Sequence, residues 1–232
     1  MFHYEKNFNW LTPFPSAFDA DRLLQDSHFH HGYLVYAAAI VARFEPNNTW
    51  ATQWGPMIEL AIRNINDYQR VMTPPADPNT PWFPYLRYFD PYAGHSWAGH
   101  DASNQESVSE AINFAAGCAI WGETVGNNTI RDMGIMLYVQ ETEAARTYWW
   151  DGARVGVNRN PFALNYNHYH AGILGWDGAA YATFFGADPH YIHGITYVPI
   201  TGSSIWMGVD SLGAANEQAD FQAANGGTTN GY

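Results

Sequence analysis

Residues 32–46 read GYLVYAAAIVARFEP, and they carry the strongest helix signal in the chain. The stretch is rich in alanine and ends at a proline that cannot continue a helix, so it predicts a helix that stops before Pro46. Residues 50–68, WATQWGPMIELAIRNINDY, predict a second helix that Thr49 can cap, with Pro56 in its early turns. The short connection between the two helices predicts an αα-hairpin.

Two more helices are predicted beyond a long proline-rich segment. Residues 71–97 contain six prolines and predict an ordered loop. A third helix is predicted over residues 105–123 and a fourth over residues 129–151, with the sequence GNN at 126–128 as the turn between them. This rhythm of helix pairs and aromatic loops predicts an all-α toroid built of helix hairpins, with the functional site on the loops of one face.

The composition indicates a large folded domain with few charges. Of 232 residues, 47% are hydrophobic, 16% aromatic and only 14% charged, which gives ample material for a core. The formal net charge of −12 provides no basic stripe, so we expect neither nucleic acid nor an anionic membrane surface as a partner. A neutral partner rich in hydroxyl groups and C–H faces suits exposed tryptophan and tyrosine side chains better.

The chain shows no sign of membrane insertion or of a disulfide. Residues 1–10, MFHYEKNFNW, lack the apolar region of a signal peptide, and no apolar run reaches the 18 residues of a membrane span. Cys118 is the sole cysteine and is predicted to be a small buried hydrophobic side chain.

A cluster of histidines follows the first candidate catalytic carboxylate. The stretch QDSHFHHGY, residues 25–33, places Asp26, His28, His30 and His31 just before a helix. The chain offers no complementary pattern such as His-Glu-x-x-His, so we predict no metal and no cofactor. The histidines are instead expected to hydrogen-bond a polar ligand and to orient the aspartate. A purely structural role for Asp26 as a helix N-cap is the alternative.

A rigid aromatic loop forms the second candidate site segment. Residues 88–100, YFDPYAGHSWAGH, combine Asp90, Tyr92, His95 and Trp97 around proline and glycine. Such a loop can present rings and hydrogen-bonding groups to a ligand, although the same residues can simply pack in the interior.

Two glutamates form the third segment, in SNQESVSEAI at residues 103–112. Glu106 and Glu110 stand four positions apart, so a helix would place them on one side, where each disfavours ionisation of the other. Asn104 and Gln105 can supply hydrogen bonds beside them. The alternative is a solvated helix start in which the carboxylates face the helix dipole.

Together these segments suggest cleavage of a glycosidic bond. One carboxylic acid can protonate the leaving oxygen while a carboxylate on the opposite side activates water. Aromatic rings can stack on sugar C–H faces, and amide and imidazole groups can hold sugar hydroxyls.

The chain also resembles glycoside hydrolase family 81, the endo-β-1,3-glucanases, from about Trp10 to Gly208. Several long blocks appear in the family's order: DSHFHHGYLVYAAA, WGPMIELAIRNI, RYFDPYAGHSWA, NQESVSEA, WGETVGNNTIRDMGIMLY and DPHYIHGITYVPITG. The resemblance implies an (α/α)6 toroid, inversion of the anomeric centre, and β-1,3-glucan polysaccharide or oligosaccharides as partners. It also implies an extracellular location.

The resemblance assigns roles to individual residues. It implies that Asp26 is the general acid, that Glu106 is the general base, and that Glu110 is a supporting carboxylate that positions or polarises the water. It places His30, His95 and Trp97 where the family lines its sugar cleft. Tyr92 and Asn104, noted above from their own segments, are also expected to bind substrate. His31 stands where the family usually has tyrosine, and GWDGAAYATFF, around Asp177 and Phe184, also departs from the family pattern.

The expected organisation is a partial catalytic domain followed by a tail. Residues 1–208 are predicted to form the middle of the toroid, because family members have a complete ring of twelve helices and an N-terminal β-sandwich. Residues 209–232 are predicted to be a polar, glycine-rich C-terminal tail, and its last part, residues 216–232, is expected to be frayed. Two other functions stay open: a β-glucan-binding fragment without turnover, and an α-toroid hydrolase or lyase acting on another polysaccharide.

Overall fold

A computed structural model describes residues 2–16, 18–77, 79–98, 105–150, 166–174, 180–209 and 211–226. These segments are mainly helical. The α-helices are α1 (Ala20–Leu23), α2 (Ser27–Phe44), α3 (Thr49–Ile65), α4 (Val108–Val125), α5 (Asn128–Ala144), α6 (Pro189–Tyr197) and α7 (Ser211–Ala224). A π-helical turn, Ala145–Trp149, extends α5, and a 3₁₀ helix, Gly202–Val209, precedes α7. Two antiparallel strand pairs complete this part: β1 (Phe2–Glu5) with β2 (Trp10–Pro13), and β3 (Phe89–Asp90) with β4 (His95–Ser96).

The first predicted hairpin is present, with its helix boundaries set by polar residues. Helix α2 begins at Ser27, five positions earlier than its alanine-rich part indicates, and the next helix begins at Thr49. Thr49 is the first residue of α3 and not its cap. The Glu45 carboxylate accepts hydrogen bonds from the Thr49 backbone N–H at 2.8 Å and from its hydroxyl at 2.9 Å, which fixes the turn between the two helices.

Helices α2 and α4 run parallel and touch at glycine. A Cβ added to Gly32 would lie 3.1 Å from the Cβ of Phe114, and one added to Gly117 would lie 2.9 Å from the backbone nitrogen of Tyr36. These contacts advance along both helices in the same direction, so the two helices are parallel. Their N-terminal ends therefore lie side by side.

Helices α4 and α5 form the second predicted hairpin, and here the contact is closer still. Gly122 faces the backbone of Arg131, and Gly134 faces the backbone of Ala119, so that no Cβ fits at either glycine. The Asn127 side chain caps α5 by accepting a hydrogen bond from the Ile130 N–H.

The main core lies between α2, α3, α4 and α5 and is closed by aromatic residues. Its largest fully buried side chains are Trp10, Trp121, Tyr88, Phe83, Phe114, Ile58, Ile62 and Ile65. Cys118 is fully buried in the same cluster, and burial raises the pKa of its thiol, as expected for a small hydrophobic side chain. Among the helices of the described segments, none has both the length and the apolar character needed to cross a membrane.

The proline-rich segment is an irregular ordered loop, as predicted. Phe83 and Tyr88 anchor it in the core, and the Tyr88 N–H donates to the Asn66 side chain at 3.0 Å. The strand pair β3–β4 then forms the tip that leads to Trp97.

The fraying predicted for residues 216–232 is wrong for residues 216–224, which belong to helix α7. Helix α7 packs against α6 and against the 3₁₀ helix, and it buries Phe221 and Glu217. The sequence conceals this helix because glycine and carboxylates occupy much of its buried face, so an apolar stripe is lacking.

We predict that Gly134→Ala destabilises the fold by about 1–3 kcal/mol, as overpacking typically does. Alanine would favour the isolated helix by about 1 kcal/mol, but its Cβ would meet backbone atoms of α4 that cannot rotate away. Urea unfolding measures the difference. Gly208→Ala is the matched control, because a Cβ there has open space. A Gly134→Ala protein as stable as the parent would contradict the described contact.

Candidate active site

Three carboxylates meet at the joint N-terminal end of α2 and α4. Asp26 directly precedes α2, Glu106 lies two residues before α4, and Glu110 lies in the first turn of α4. The charges of Asp26 and Glu110 both raise the pKa of Glu106, and the charge of Glu110 raises that of Asp26. The parallel helix pair therefore brings together the three residues that the sequence singles out as catalytic.

Asp26 occupies the N-cap position of α2 without using its side chain as a cap. Its backbone carbonyl accepts hydrogen bonds from the N–H groups of Phe29 and His30, both at 3.0 Å, while the carboxylate makes no capping bond. Its φ of 60° lies in the left-handed region, which is costly for a residue other than glycine and is common at functional sites. The alternative of a purely structural cap is therefore not supported.

The pKa of the Asp26 carboxyl rises to about 6, chiefly because of burial and secondarily because of the Glu110 charge. An aspartic acid with this pKa retains its proton in weakly acidic solution, which is a requirement for a general acid.

Chain segments after residue 166 hold both the backbone beside Glu106 and the Glu106 side chain. The neighbouring Gln105 pairs with Leu174 through two backbone hydrogen bonds of 3.1 and 3.0 Å. The Phe184 N–H donates to Glu106 Oε1 at 2.9 Å. Burial, with smaller contributions from Asp26 and Glu110, raises the pKa of Glu106 to about 7, although the Phe184 hydrogen bond acts in the opposite direction.

A tight turn presents the Phe184 N–H. Thr183 and Gly186 exchange backbone hydrogen bonds of 2.9 and 3.3 Å, and the Thr183 hydroxyl donates to the Gly186 carbonyl at 2.8 Å. Gly186 has a φ of 149°, which favours glycine. From sequence, Phe184 stands out only as a departure from the family pattern. Its contact with Glu106 was not predicted, because a backbone donor carries no side-chain signature. The glycine is the one local signal of the turn.

Glu110 lies close to the hydroxyl groups of Ser107 and Tyr33. Burial raises the pKa of Glu110, and the two hydroxyl groups lower it by less, so the net shift is upward. Tyr33 is a site residue that sequence reasoning missed. Its position seven residues after Asp26 was the available signal, because residues seven apart share a helix face.

Histidines beneath the carboxylates are buried and neutral. Burial lowers the pKa values of His28 and His31 to about 3. His28 Nε2 lies 3.2 Å from Gln105 Oε1, which links the start of α2 to the residue beside Glu106. His31 packs edge-on against the Phe2 ring, with 5.0 Å between ring centroids.

Trp97 and His95 lie on the loop that approaches α2. The half-buried Trp97 ring stacks on Tyr88 at 4.9 Å, and its indole N–H donates to the Arg87 carbonyl at 3.0 Å. The Tyr88 hydroxyl donates to the Leu24 carbonyl, two residues before Asp26, so this stack adjoins the candidate acid. His95 is only 4% exposed and packs edge-on against Trp149, which places it beneath the surface and not at its face.

The remaining predicted substrate-binding residues are less closely connected to the carboxylates. His30 is half-exposed and lies against the Phe18 ring, with 5.4 Å between ring centroids. Tyr92 is 99% exposed, and its N–H donates to Asp90 Oδ1 at 2.8 Å. No contact within the described segments joins Tyr92 to the carboxylates. Asn104 lies outside the described residues.

The arrangement suits acid–base chemistry on a neutral ligand. Two carboxyl groups with pKa values near 6 and 7 can hold one proton between them in nearly neutral solution. The third carboxylate raises both pKa values and can accept a hydrogen bond from water.

We predict that Asp26→Asn and Glu106→Gln each stabilise the protein at pH 8. Both carboxyls have folded pKa values above their ordinary values of 3.8 and 4.5, so folding favours their protonated forms. Their contribution to stability is therefore present at low pH and is lost as pH rises through about 6 and 7. Asparagine also tolerates the left-handed backbone of position 26.

The expected gain is about 1–2 kcal/mol per variant, after discounting the shifts for partial exposure, and it disappears below about pH 4. Urea unfolding at several pH values measures it. Glu123→Gln, at a position whose side chain is 58% exposed, is the control and should show no such pH-dependent gain. Equal stability of parent and variants at pH 8 would contradict the burial of these carboxyls.

Comparison with known proteins identifies the family of this chain. A family model described as the glycosyl hydrolase family 81 C-terminal domain matches residues 20–226. A glucan endo-1,3-beta-D-glucosidase of Acetivibrio thermocellus is 41% identical over 218 residues, covering 90% of this chain and 26% of that protein. A glucan endo-1,3-beta-D-glucosidase of Thermobifida fusca is 35% identical over 220 residues, covering 93% of this chain and 27% of that protein.

A solved structure is also similar. It is a point mutant of a glycoside hydrolase family 81 protein from Clostridium thermocellum, with 38% sequence identity and a TM-score of 0.84, and the match covers 97% of this chain and 30% of that one. That fold is of the α-toroid type, so the predicted all-α, toroid-like array of helix hairpins is confirmed. The chain spans about a quarter of the length of the curated relatives, 26% and 27%. Because the family model matches most of its residues, the chain belongs to glycosyl hydrolase family 81.

Proposed function

We propose that this chain carries the catalytic carboxylates of an endo-acting hydrolase of β-1,3-glucan. The observation that carries the proposal is the position of Asp26, Glu106 and Glu110 together at the joint N-terminal end of two parallel helices. The names of the relatives, glucan endo-1,3-beta-D-glucosidases, support the choice of substrate. Because such a polymer does not cross a cell membrane, we also propose that the protein acts outside the cell.

In the proposed mechanism the anomeric centre is inverted in one displacement. Asp26 donates its proton to the leaving glycosidic oxygen, and Glu106 removes a proton from water as that water attacks the anomeric carbon. Inversion needs the two carboxyl groups roughly 6.5–9.5 Å apart, with the water between sugar and base. The Phe184 N–H holds one oxygen of Glu106, so that the other can face the water.

Glu110 acts as the supporting carboxylate in this proposal. It lies in the first turn of α4, close to the hydroxyl groups of Ser107 and Tyr33. From there it can accept a hydrogen bond from the attacking water and orient the water toward the sugar.

The assignment of acid and base rests on the family resemblance and not on the pKa order. The pKa of Glu106, about 7, lies above that of Asp26, about 6, so Glu106 is the more readily protonated of the two in the free protein. A substrate whose leaving group needs no protonation separates the two roles. It should restore activity to a variant that lacks the general acid but not to a variant that lacks the general base.

Sugar contacts are proposed for the rings and polar groups around the carboxylates. Trp97, stacked on Tyr88 beside Asp26, and the half-exposed His30 are favoured by position. Tyr92 can contact a longer glucan chain through its exposed ring. Asn104 stays a proposed hydrogen-bonding residue, and His95 is proposed to support the loop from beneath.

We predict that Glu106→Gln and Asp26→Asn each lower release of reducing ends from laminarin by about 10²–10⁴-fold, the usual contribution of a general acid or base. Circular dichroism checks that both variants fold. With a β-1,3-gluco-oligosaccharide bearing a fluoride leaving group, Asp26→Asn should recover most activity and Glu106→Gln should not.

The opposite recovery pattern would exchange the roles of the two residues. Unchanged turnover of laminarin in either variant would remove that residue from the mechanism, and Glu123→Gln should match the parent throughout. Calorimetric binding of laminarin by the parent without new reducing ends would instead support a glucan-binding fragment. Preferred cleavage of mixed-linkage or charged glycans would support another polysaccharide as the substrate.

We further predict a bell-shaped dependence of kcat/KM on pH for the parent, with limbs near pH 6 and pH 7. Glu110→Gln should lower kcat and move both limbs to lower pH, because removing a negative charge lowers the pKa values of Asp26 and Glu106. Initial rates across pH 4–9 measure both limbs. Glu123→Gln should leave them in place. Limbs that stay fixed or rise in Glu110→Gln would contradict the coupling.

A further inference from the structure

A second polar cluster lies in the C-terminal part of the chain, apart from the three carboxylates. His170 precedes the 180–186 segment, His193 lies in α6, and Glu217 lies in α7. All three are buried, with exposures of 0%, 0% and 1%. One nitrogen from each histidine and one carboxylate oxygen lie within 4.8 Å of one another. Burial of a carboxylate among imidazoles needs a compensating proton or cation.

His170 directs an unprotonated nitrogen at this carboxylate. Its Nε2 lies 2.9 Å from the Ile192 carbonyl oxygen, which can only accept, so the ring proton belongs on Nε2. Nδ1 therefore presents a lone pair, lies 3.5 Å from Glu217 Oε1, and is buried without a hydrogen-bond partner. Two electron-rich atoms face each other, an arrangement that a cation between them would stabilise.

His193 can present its Nδ1 in the same way. This Nδ1 lies 2.5 Å from Glu217 Oε1, and Nε2 lies 2.9 Å from the Tyr181 hydroxyl oxygen. With the ring proton on Nδ1, the histidine hydrogen-bonds the carboxylate. With the proton on Nε2 and donated to Tyr181, Nδ1 becomes free to bind a cation.

We propose that His170 Nδ1, His193 Nδ1 and Glu217 bind a divalent transition-metal ion of the zinc class. Two imidazole nitrogens and one carboxylate oxygen are a donor set that zinc accepts, with metal–ligand distances of about 2.0–2.2 Å. Ligand atoms around a tetrahedral ion then lie about 3.3 Å apart, close to the observed 3.5 Å between His170 Nδ1 and Glu217 Oε1. His193 Nδ1, which lies 2.5 Å from the same oxygen, would move outward when the ion replaces their hydrogen bond.

Groups outside the cluster already fix the ligand orientations. The Ile192 carbonyl accepts from His170, the Tyr181 hydroxyl contacts His193, and the Tyr197 hydroxyl hydrogen-bonds the Glu217 carboxylate. Metal-binding histidines characteristically donate their second ring N–H to such a carbonyl or polar group, which sets the tautomer.

A bound ion would join three separate parts of the chain. It would tie residues 166–174 to α6 and α7. Through Tyr181 it would also stabilise the segment whose Phe184 N–H contacts Glu106. The ion is thus proposed to stabilise the fold behind the catalytic site, and the proposal does not depend on the substrate or on turnover.

The primary test measures zinc binding by the purified whole chain. After removal of metal with EDTA, titration with zinc chloride should give one tight equivalent by calorimetry, and elemental analysis after gel filtration should find one zinc per chain. Addition of zinc should raise the Tm. Cobalt(II) should give the visible absorption of a tetrahedral site, a readout that requires no variant.

Variants assign the site to its ligands. Glu217→Gln keeps the shape but removes the anionic ligand, so zinc affinity should fall by more than about 100-fold. Asp220→Asn is the matched control, because this carboxylate in the same helix hydrogen-bonds His168 and the Tyr169 N–H and should leave zinc binding intact. The Glu217→Gln variant retains the exposed pair His190 and Asp188, so any zinc that this variant still binds measures weak surface binding.

Two outcomes would overturn the proposal. One is a parent protein that binds no zinc at micromolar concentrations, shows no cobalt spectrum and has a Tm unaffected by zinc and EDTA; the cluster would then be a hydrogen-bonded network only. The other is equal zinc affinity in the parent and in a folded Glu217→Gln variant. Neither outcome bears on glucan hydrolysis, which is tested separately.

Discussion

The close contact of α2 with α4 at Gly32 and Gly117 is the constraint on which the site depends. Side chains at these glycines would separate the helices, and the carboxylates at their N-terminal ends would separate with them. Helix N-termini favour negative charge by about 0.3–1 kcal/mol. The rise of the Glu106 pKa from 4.5 to about 7 corresponds to at most about 3 kcal/mol in the opposite direction, so burial dominates.

The site is therefore a place where the fold gives up stability. Asp26 has a left-handed backbone and a carboxylate unused by its helix, and Glu106 and Glu110 share its buried surroundings. Local cost of this kind must be offset elsewhere, here by the aromatic and aliphatic core between the four long helices. Because the fold raises the pKa of these carboxyl groups, they are partly protonated near neutral pH and can exchange protons there.

Much of the fold followed from local sequence signals, and the parts that did not follow were governed by long-range contacts. Helix-forming runs and their proline or glycine boundaries located α2 to α5, with ends that differ from the prediction by up to seven residues. Carboxylate spacing singled out Glu106 and Glu110, and the histidine-rich motif and the family resemblance singled out Asp26. The Phe184 contact lies 78 residues from Glu106 and uses a backbone N–H, which any residue could supply. Helix α7 was missed because its buried face carries Glu217 and not an aliphatic stripe. Loop motifs likewise identified His95 and Tyr92 but not their burial or exposure.

The two sides of the site are built in different ways. Asp26 and Glu110 belong to the helix pair and are placed by glycine contacts within residues 27–125. Glu106 lies just before α4. It is held there by Leu174 and Phe184, which belong to residues 166–174 and 180–186, here called the C-terminal layer. Docking of that layer must therefore complete the site, because the helix pair alone leaves the proposed base without its backbone partners. The orientation of Glu106 depends on packing of the C-terminal layer against α4, whereas the proximity of the other two carboxylates follows from the packing of α2 against α4.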